Sequence, residues 1–287
     1  MDLALKFTVM TLLGTVLLCS GCSRNQMSDQ EYTERMAREH AQDAPVPGAA
    51  SMETSGVDVT NEQVTYATVE GKSVEGYLAR PKQGETTSGI IVIHEWWGLN
   101  DNIRTMTDKL AGQGYVALAV DLYGGRSADD PQQAQQLMQA AMQDPSAADS
   151  NLRQAYQFLT EKQGIKKVGT IGWCFGGGWS LNTAILLGDK IDATVVYYGR
   201  PVTDSDQLEK IQTPILGLYG AEDTGIPVEQ VREMESELKA LGKTVDIHVY
   251  PGASHAFANP SGNRYQPAAA KDAWTRTVAF FKQYLGT

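Results

Sequence analysis

The run Gly172-Trp173-Cys174-Phe175-Gly176-Gly177 stands between an apolar stretch of β character, residues 168–172, and a small-residue helix start. A strand that turns sharply into a helix leaves no room for side chains two positions either side of the turn residue. Glycine is therefore required at Gly172 and Gly176, and Cys174 between them takes a strained backbone. The turn also points the sulfur at a helix N-terminus, whose partial positive charge favours thiolate over thiol. A plainer reading is an inert, buried cysteine in a glycine-rich turn. Of the three cysteines, Cys19 and Cys22 lie in the N-terminal leader described below. The remaining chain then holds one cysteine and forms no internal disulfide.

Around this turn the elements alternate. Residues 64–69 and 74–79 read as paired strands joined at Glu70-Gly71-Lys72. Residues 89–94 and 115–121 are continuous apolar runs, as in strands buried on both faces. Further strands are expected over 168–172, 193–198, 215–219 and 245–250. Helices are expected over 101–111, 131–142, 147–163, 177–187, 226–241 and 271–285. The alternation predicts an α/β fold with a mostly parallel central sheet and helices on both faces. Active sites of such sheets lie beyond the carboxyl ends of the strands.

The N-terminal residues 1–22 read as an export signal. Lys6 precedes an apolar stretch over 7–18, too short to span a bilayer, and small residues stand directly before Cys22. The pattern resembles a bacterial lipoprotein signal with Cys22 lipidated, although Cys19 and Asp2 depart from it. The expected location is the cell envelope, anchored by lipid and facing the periplasm. The alternative is an ordinary secretory signal and a soluble periplasmic or secreted protein. Residues 23–58 are polar with Ala/Pro/Gly punctuation and read as a tether, in which 31–41 could form a short helix without visible chemistry. A single catalytic domain over 59–287 is expected to follow. Lys+Arg 24 against Asp+Glu 34 gives a net charge of -10, which argues against nucleic-acid binding.

His255 and Asp223 both follow expected strands, the first in Pro251-Gly252-Ala253-Ser254-His255, the second in Gly220-Ala221-Glu222-Asp223. Nucleophile, acid, then histidine is a chain order that supports acyl transfer. His255 would take the thiol proton or pair with the thiolate, and Asp223 would orient the imidazole. Glu222 is the rival acid. His40 lies in the tether and His248 within a strand, where core or surface roles are expected; His94 borders Glu95. No spacing among these four histidines resembles a metal site, and neither metal nor cofactor is expected.

With these residues in place, the chain from about residue 60 onward resembles the dienelactone hydrolase family of the α/β-hydrolase superfamily. The resemblance rests on Gly172 to Gly177, Gly220 to Pro227, Gly252 to Phe257, the loop Glu95-Trp96-Trp97-Gly98-Leu99-Asn100, and Asp121-Leu122-Tyr123. It implies a Cys174–Asp223–His255 triad and a role for Glu95, which would hydrogen-bond a neutral resting thiol and move away when substrate binds. The backbone amides of Trp96 and Phe175 would form the oxyanion hole. Trp97, Tyr123 and Tyr198 are candidate pocket walls.

The resemblance also implies two arginines that hold a substrate carboxylate. Here Arg126 stands one position later than the family pattern, and Asn259 occupies the second site. Arg264 is near in sequence but no motif assigns it. The loss of a bidentate clamp directs the reading toward a small neutral lactone, ester or thioester. The expected protein is a monomeric carboxylic-ester hydrolase working through an acyl-thioester. The alternatives are a non-catalytic envelope lipoprotein using the fold as an interaction module, and a thiol redox carrier. The latter would lack a resolving cysteine.

Overall fold

The computed structural model describes residues 26–45 and 58–286. The leader, with Cys22, lies outside the described residues. None of the described helices is long and apolar enough to cross a membrane.

Eight strands form one sheet: β1 (Val59–Val69), β2 (Lys72–Pro81), β3 (Ser88–Ile93), β4 (Val116–Val120), β5 (Lys167–Trp173), β6 (Ala193–Tyr197), β7 (Ile215–Gly220) and β8 (Val245–Tyr250). Their order is β1-β2-β4-β3-β5-β6-β7-β8. The first two strands form a hairpin whose turn, Glu70-Gly71, has positive φ at both residues, as a tight two-residue turn demands. β2 joins β4 antiparallel, and every later pairing is parallel. β3, β4, β6 and β7 are buried along their whole length, which accounts for their unbroken apolar sequences. From β3 the chain passes to one neighbour, β4, and then to the other, β5. The crevice beyond the carboxyl ends of β3 and β5 is therefore a topological switch point.

The helices are α1 (Asp29–Glu39), α2 (Asp101–Gly112), α3 (Pro131–Gln143), α4 (Pro145–Gln157), α5 (Phe175–Leu187), α6 (Ser205–Leu208), α7 (Val228–Ala240) and α8 (Pro267–Leu285). α2, α3 and α4 start on side-chain caps from Asn100, Asp130 and Asp144, and the last two have proline in the first turn. The helix expected over 147–163 ends as α4 at Gln157 and continues as a wider π turn over Phe158–Lys162. α6 is too short to leave a periodic signal; it forms because the Asp204 carboxylate accepts the Gln207 amide.

The largest departure from the sequence reading is at the N-terminus. Residues 26–45, read from composition as part of a tether, are folded onto the domain. α1 is capped by Ser28, whose hydroxyl accepts the Glu31 N–H, and buries Tyr32, Thr33 and Met36. Its start is held by Arg200, which bonds the Met27 carbonyl and the Asp29 carboxylate and lies over the Tyr32 ring. Its end is held by Arg264, as described below. The helix is polar on average, and three buried side chains among exposed ones do not stand out in its sequence.

The β1–β2 ladder shifts register between Thr65 and Ala67, and the residue between them, Tyr66, turns inward. Its hydroxyl accepts the Asp121 N–H at 3.1 Å and donates to Asn151 at 2.6 Å, while Asn151 donates to the Asp121 carbonyl at 2.8 Å. This buried network ties the end of β4 to α4. Replacing Tyr66 with Phe strands the Asp121 amide and the Asn151 oxygen. The expected loss of unfolding free energy is about 1–3 kcal/mol, read from urea denaturation.

Candidate active site

Cys174 caps the N-terminus of α5 with φ 55° and ψ -117°, the strained turn anticipated from its glycines. A Cβ on Gly172 would run into the Gly176 carbonyl, and one on Gly176 into the carbonyls of Ile93 and His94. The turn can therefore sit against the end of β3 only with glycine at positions 172 and 176.

β7 delivers Asp223 and β8 delivers His255. One oxygen of Asp223 accepts the amides of Gly225 at 2.9 Å and Ile226 at 2.8 Å. Its other oxygen meets His255 Nδ1 at 2.8 Å. Both side chains are wholly buried. Glu222 is exposed, and Asp223 is the carboxylate that meets His255. With Nδ1 committed to the carboxylate, His255 turns Nε2 toward the Cys174 sulfur, within 4.8 Å. That nitrogen is buried and without a hydrogen-bond partner among the described residues. The Tyr198 ring packs edge-on to the imidazole, its own backbone at positive φ. Burial opposes charge on both groups of the pair. Even so, Asp223 and the thiolate raise the His255 imidazolium well above its ordinary range. Burial likewise pushes the Cys174 thiol up, but His255, helped by His40, brings it down to about 6.

Glu95 follows β3 and is buried. Burial and the neighbouring thiolate raise its carboxyl to about 7. Its hydrogen bonds run to Asn259 at 2.7 Å and, at a long 3.5 Å, to Asn102 and Tyr198; none runs to Cys174. Asn259, which stands where the family resemblance implies a clamp arginine, thus holds Glu95 aside. The expected neutral thiol bonded to Glu95 is not the arrangement found. The amides of Trp96 and Phe175 have no backbone acceptor among the described residues, as an oxyanion hole requires. His94 fixes this loop: its ring meets the Glu95 carbonyl at 2.6 Å and accepts the Leu122 amide at 3.1 Å.

The remaining pocket candidates divide. Trp97 and Tyr123 are buried, and the Tyr123 ring packs against Phe175. Arg126 is exposed and donates to the Tyr123 carbonyl, with no hydrogen bond to Cys174. Arg264, unassignable by motif, donates to Asp43 at 2.5 Å and to Glu39 at 2.8 Å, and so fastens the end of α1.

His40 is the site residue that sequence reasoning missed. Expected in a tether, it is buried, stacks on Trp96 at 4.3 Å between ring centroids, and meets His255 edge-on at 5.2 Å. Its Nε2 lies 3.7 Å from the Cys174 sulfur, and the Met36 sulfur lies 3.8 Å from it. These two side chains cover the Cys174 sulfur. Beside them, a cavity of about 280 Å³ is lined by Tyr32, Phe175, Trp179 and Arg200 but not by Cys174. No sequence signal joins His40 to the site, because the contact depends on how α1 packs.

A thiol brought down to about 6 loses its proton well below the ordinary cysteine range near 8.5. In chelator-treated protein, thiolate absorbance corrected with Cys174→Ala is expected to titrate with a midpoint near pH 6. His255→Ala removes the stabilising cation and should move that midpoint upward by at least one pH unit.

Residues 74–285 match the model of the dienelactone hydrolase family. "Protein usf" of Aquifex pyrophilus is 39% identical over 222 residues, covering 75% of this chain and 95% of that protein. "Putative carboxymethylenebutenolidase" of Saccharolobus solfataricus is 33% identical over 260 residues, covering 77% and 98%. The crystal structure named "Putative Dienelactone Hydrolase" from Klebsiella pneumoniae superimposes with a TM-score of 0.71 at 28% identity, covering 79% of this chain and 100% of that one. The chain belongs to the dienelactone hydrolase family, and it is a hydrolase acting on ester bonds.

Proposed function

We propose that this chain is a cysteine hydrolase that opens a small, uncharged lactone or cleaves a carboxylic ester through an acyl-thioester on Cys174. The observation that carries the reading is the wholly buried Asp223–His255 pair, whose free Nε2 faces the sulfur of a strained Cys174.

The steps follow from the geometry. The thiolate attacks the carbonyl carbon, and the oxyanion that forms lies toward the Trp96 and Phe175 amides. His255 gives its proton to the departing oxygen, which in a lactone stays tethered to the acyl group. The neutral imidazole then takes a proton from water, whose oxygen attacks the thioester and releases the acid. Asp223 keeps the ring in the required tautomer throughout. Glu95, turned toward Asn259, makes no hydrogen bond to the sulfur.

An uncharged substrate is favoured by the fate of the arginines. Arg126 is exposed and Arg264 is occupied by Asp43 and Glu39, while Asn259 is engaged with Glu95. The names of the relatives suggest a lactone, and carboxymethylenebutenolidase chemistry is the version that would demand a carboxylate clamp. Export as an envelope lipoprotein through Cys22 remains part of this reading, supported by the leader sequence.

Turnover on p-nitrophenyl acetate and on a panel of neutral lactones tests the proposal. Cys174→Ala should abolish activity, and Asp223→Asn should lower kcat by about 10²–10⁴-fold. Full activity in Cys174→Ala would refute the nucleophile.

A further inference from the structure

Two buried imidazoles converge on one sulfur, and only one of them is accounted for by hydrolysis. His40 and His255 share one feature, a carboxylate at Nδ1, although the His40 Nδ1 also lies 3.1 Å from an Arg264 nitrogen. Each meets a carboxylate through Nδ1, Asp43 at 2.7 Å for His40 and Asp223 at 2.8 Å for His255. Each therefore directs Nε2 at Cys174, and the Nε2 and Sγ atoms of all three residues lie within 4.8 Å of one another. The His255 nitrogen has no hydrogen-bond partner among the described residues. A carboxylate behind each ring is the arrangement that fixes tautomer and raises ligand basicity in metal-binding histidines.

Two of the separations match those around a metal ion, and the His255 nitrogen lies within 4.8 Å of the other ligand atoms. Zinc–sulfur and zinc–nitrogen bonds arranged tetrahedrally place sulfur and nitrogen about 3.6 Å apart, and two sulfurs about 3.8 Å apart. The His40 nitrogen lies 3.7 Å and the Met36 sulfur 3.8 Å from the Cys174 sulfur. Thiolate, imidazole and thioether together are a soft donor set that suits d10 ions.

We propose that Cys174, His255 and His40, with the Met36 thioether beside them, form a binding site for a d10 metal ion of the Zn²⁺ class. The ion joins the core to the segment following α1. Arg264 already fastens that segment through Asp43 and Glu39, so the ligand is presented on a held element. Binding takes the lone pairs of Sγ and the two Nε2 atoms and displaces to solvent the proton that Cys174 and His255 share. No electron is transferred. The bound state covers the sulfur and removes it from catalysis. That silencing rests on Cys174 being the nucleophile; the binding itself does not.

The test uses the full chain, reduced and stripped with chelator, and titrates Co²⁺ as a spectroscopic probe. The expected result is a thiolate-to-cobalt charge-transfer band that saturates at one ion per chain, is displaced by Zn²⁺ and is absent in Cys174→Ala. His40→Ala and Asp43→Asn should each weaken binding at least tenfold, with circular dichroism showing that both fold. Should His40→Ala fail to fold, Asp43→Asn, which keeps the side-chain volume, carries the comparison. No band in the unaltered chain overturns the proposal. So does undiminished affinity in the folded His40 or Asp43 variant, which would leave the ion to the catalytic pair alone. In parallel, the Zn²⁺ concentration that half-inhibits p-nitrophenyl acetate hydrolysis should rise at least tenfold in His40→Ala. A metal-free chain that binds Co²⁺ as expected yet hydrolyses nothing refutes the nucleophile reading and upholds the site.

Discussion

The close approach of the α5 turn to the end of β3 is the contact on which the site depends. Ile93 and His94 present carbonyl oxygens where a Cβ on Gly176 would stand, and Gly172 faces the Gly176 carbonyl in the same way. With glycine at both places the turn sinks against the sheet, and Cys174 is left as its apex with a left-handed backbone. The same approach sets the Phe175 amide beside the loop that carries Trp96. Cys174 and the Phe175 amide are therefore positioned by a single backbone contact at the switch point of the sheet, and His255 and Asp223 need only reach it from β8 and β7.

Around that contact the electrostatics are arranged to tolerate burial. An isolated thiolate in this environment would be costly, and desolvation does push the Cys174 thiol up. It is overcome because His255 is held as an imidazolium by a carboxylate that is itself tied down by two backbone amides. Glu95 would add an unwelcome negative charge. Burial and the thiolate raise it to about 7, and its shortest hydrogen bond goes to Asn259. The asparagine that breaks the anion-clamp pattern thus has a positive function here. It holds the glutamate away from the sulfur, and the carboxylate clamp and this hydrogen bond are alternative uses of one position.

Most of the sheet was legible in the sequence because parallel strands buried on both faces leave continuous apolar runs, and β3, β4 and β7 are marked in this way. The site was legible to the extent that its members sit at strand ends with local turn chemistry, as Cys174, Asp223 and His255 do. The parts that were not legible are long-range. α1 carries only three buried residues in a polar sequence, and the two arginines that hold it, Arg200 and Arg264, come from loops far along the chain. Periodicity could indicate a helix near residues 31–41, but not the surface it covers. The metal-like cluster escaped for the same reason. Ligand spacing is a local signal, whereas His40, Cys174 and His255 come from three distant segments.

The capping helix changes how the burial of the catalytic pair should be understood. In the core alone, Cys174 would lie at the mouth of a switch-point crevice, open to substrate as such sites are. With Met36 and His40 in place Cys174 has 1% exposure. The contacts that hold α1 are ionic and placed at its two ends, Asp29 with Arg200, and Glu39 and Asp43 with Arg264. Glu39, Asp43 and Arg264 are largely shielded from solvent, with side-chain exposures of 11%, 8% and 18%, so salt screens their pairing less than it screens the exposed Asp29 at the other end. The apolar contribution comes chiefly from Met27, Tyr32 and Met36. The segment is therefore held by ion pairs at its two ends and by apolar burial between them. The cover over Cys174 is thus a packed part of the domain, set by long-range contacts that no local pattern announces.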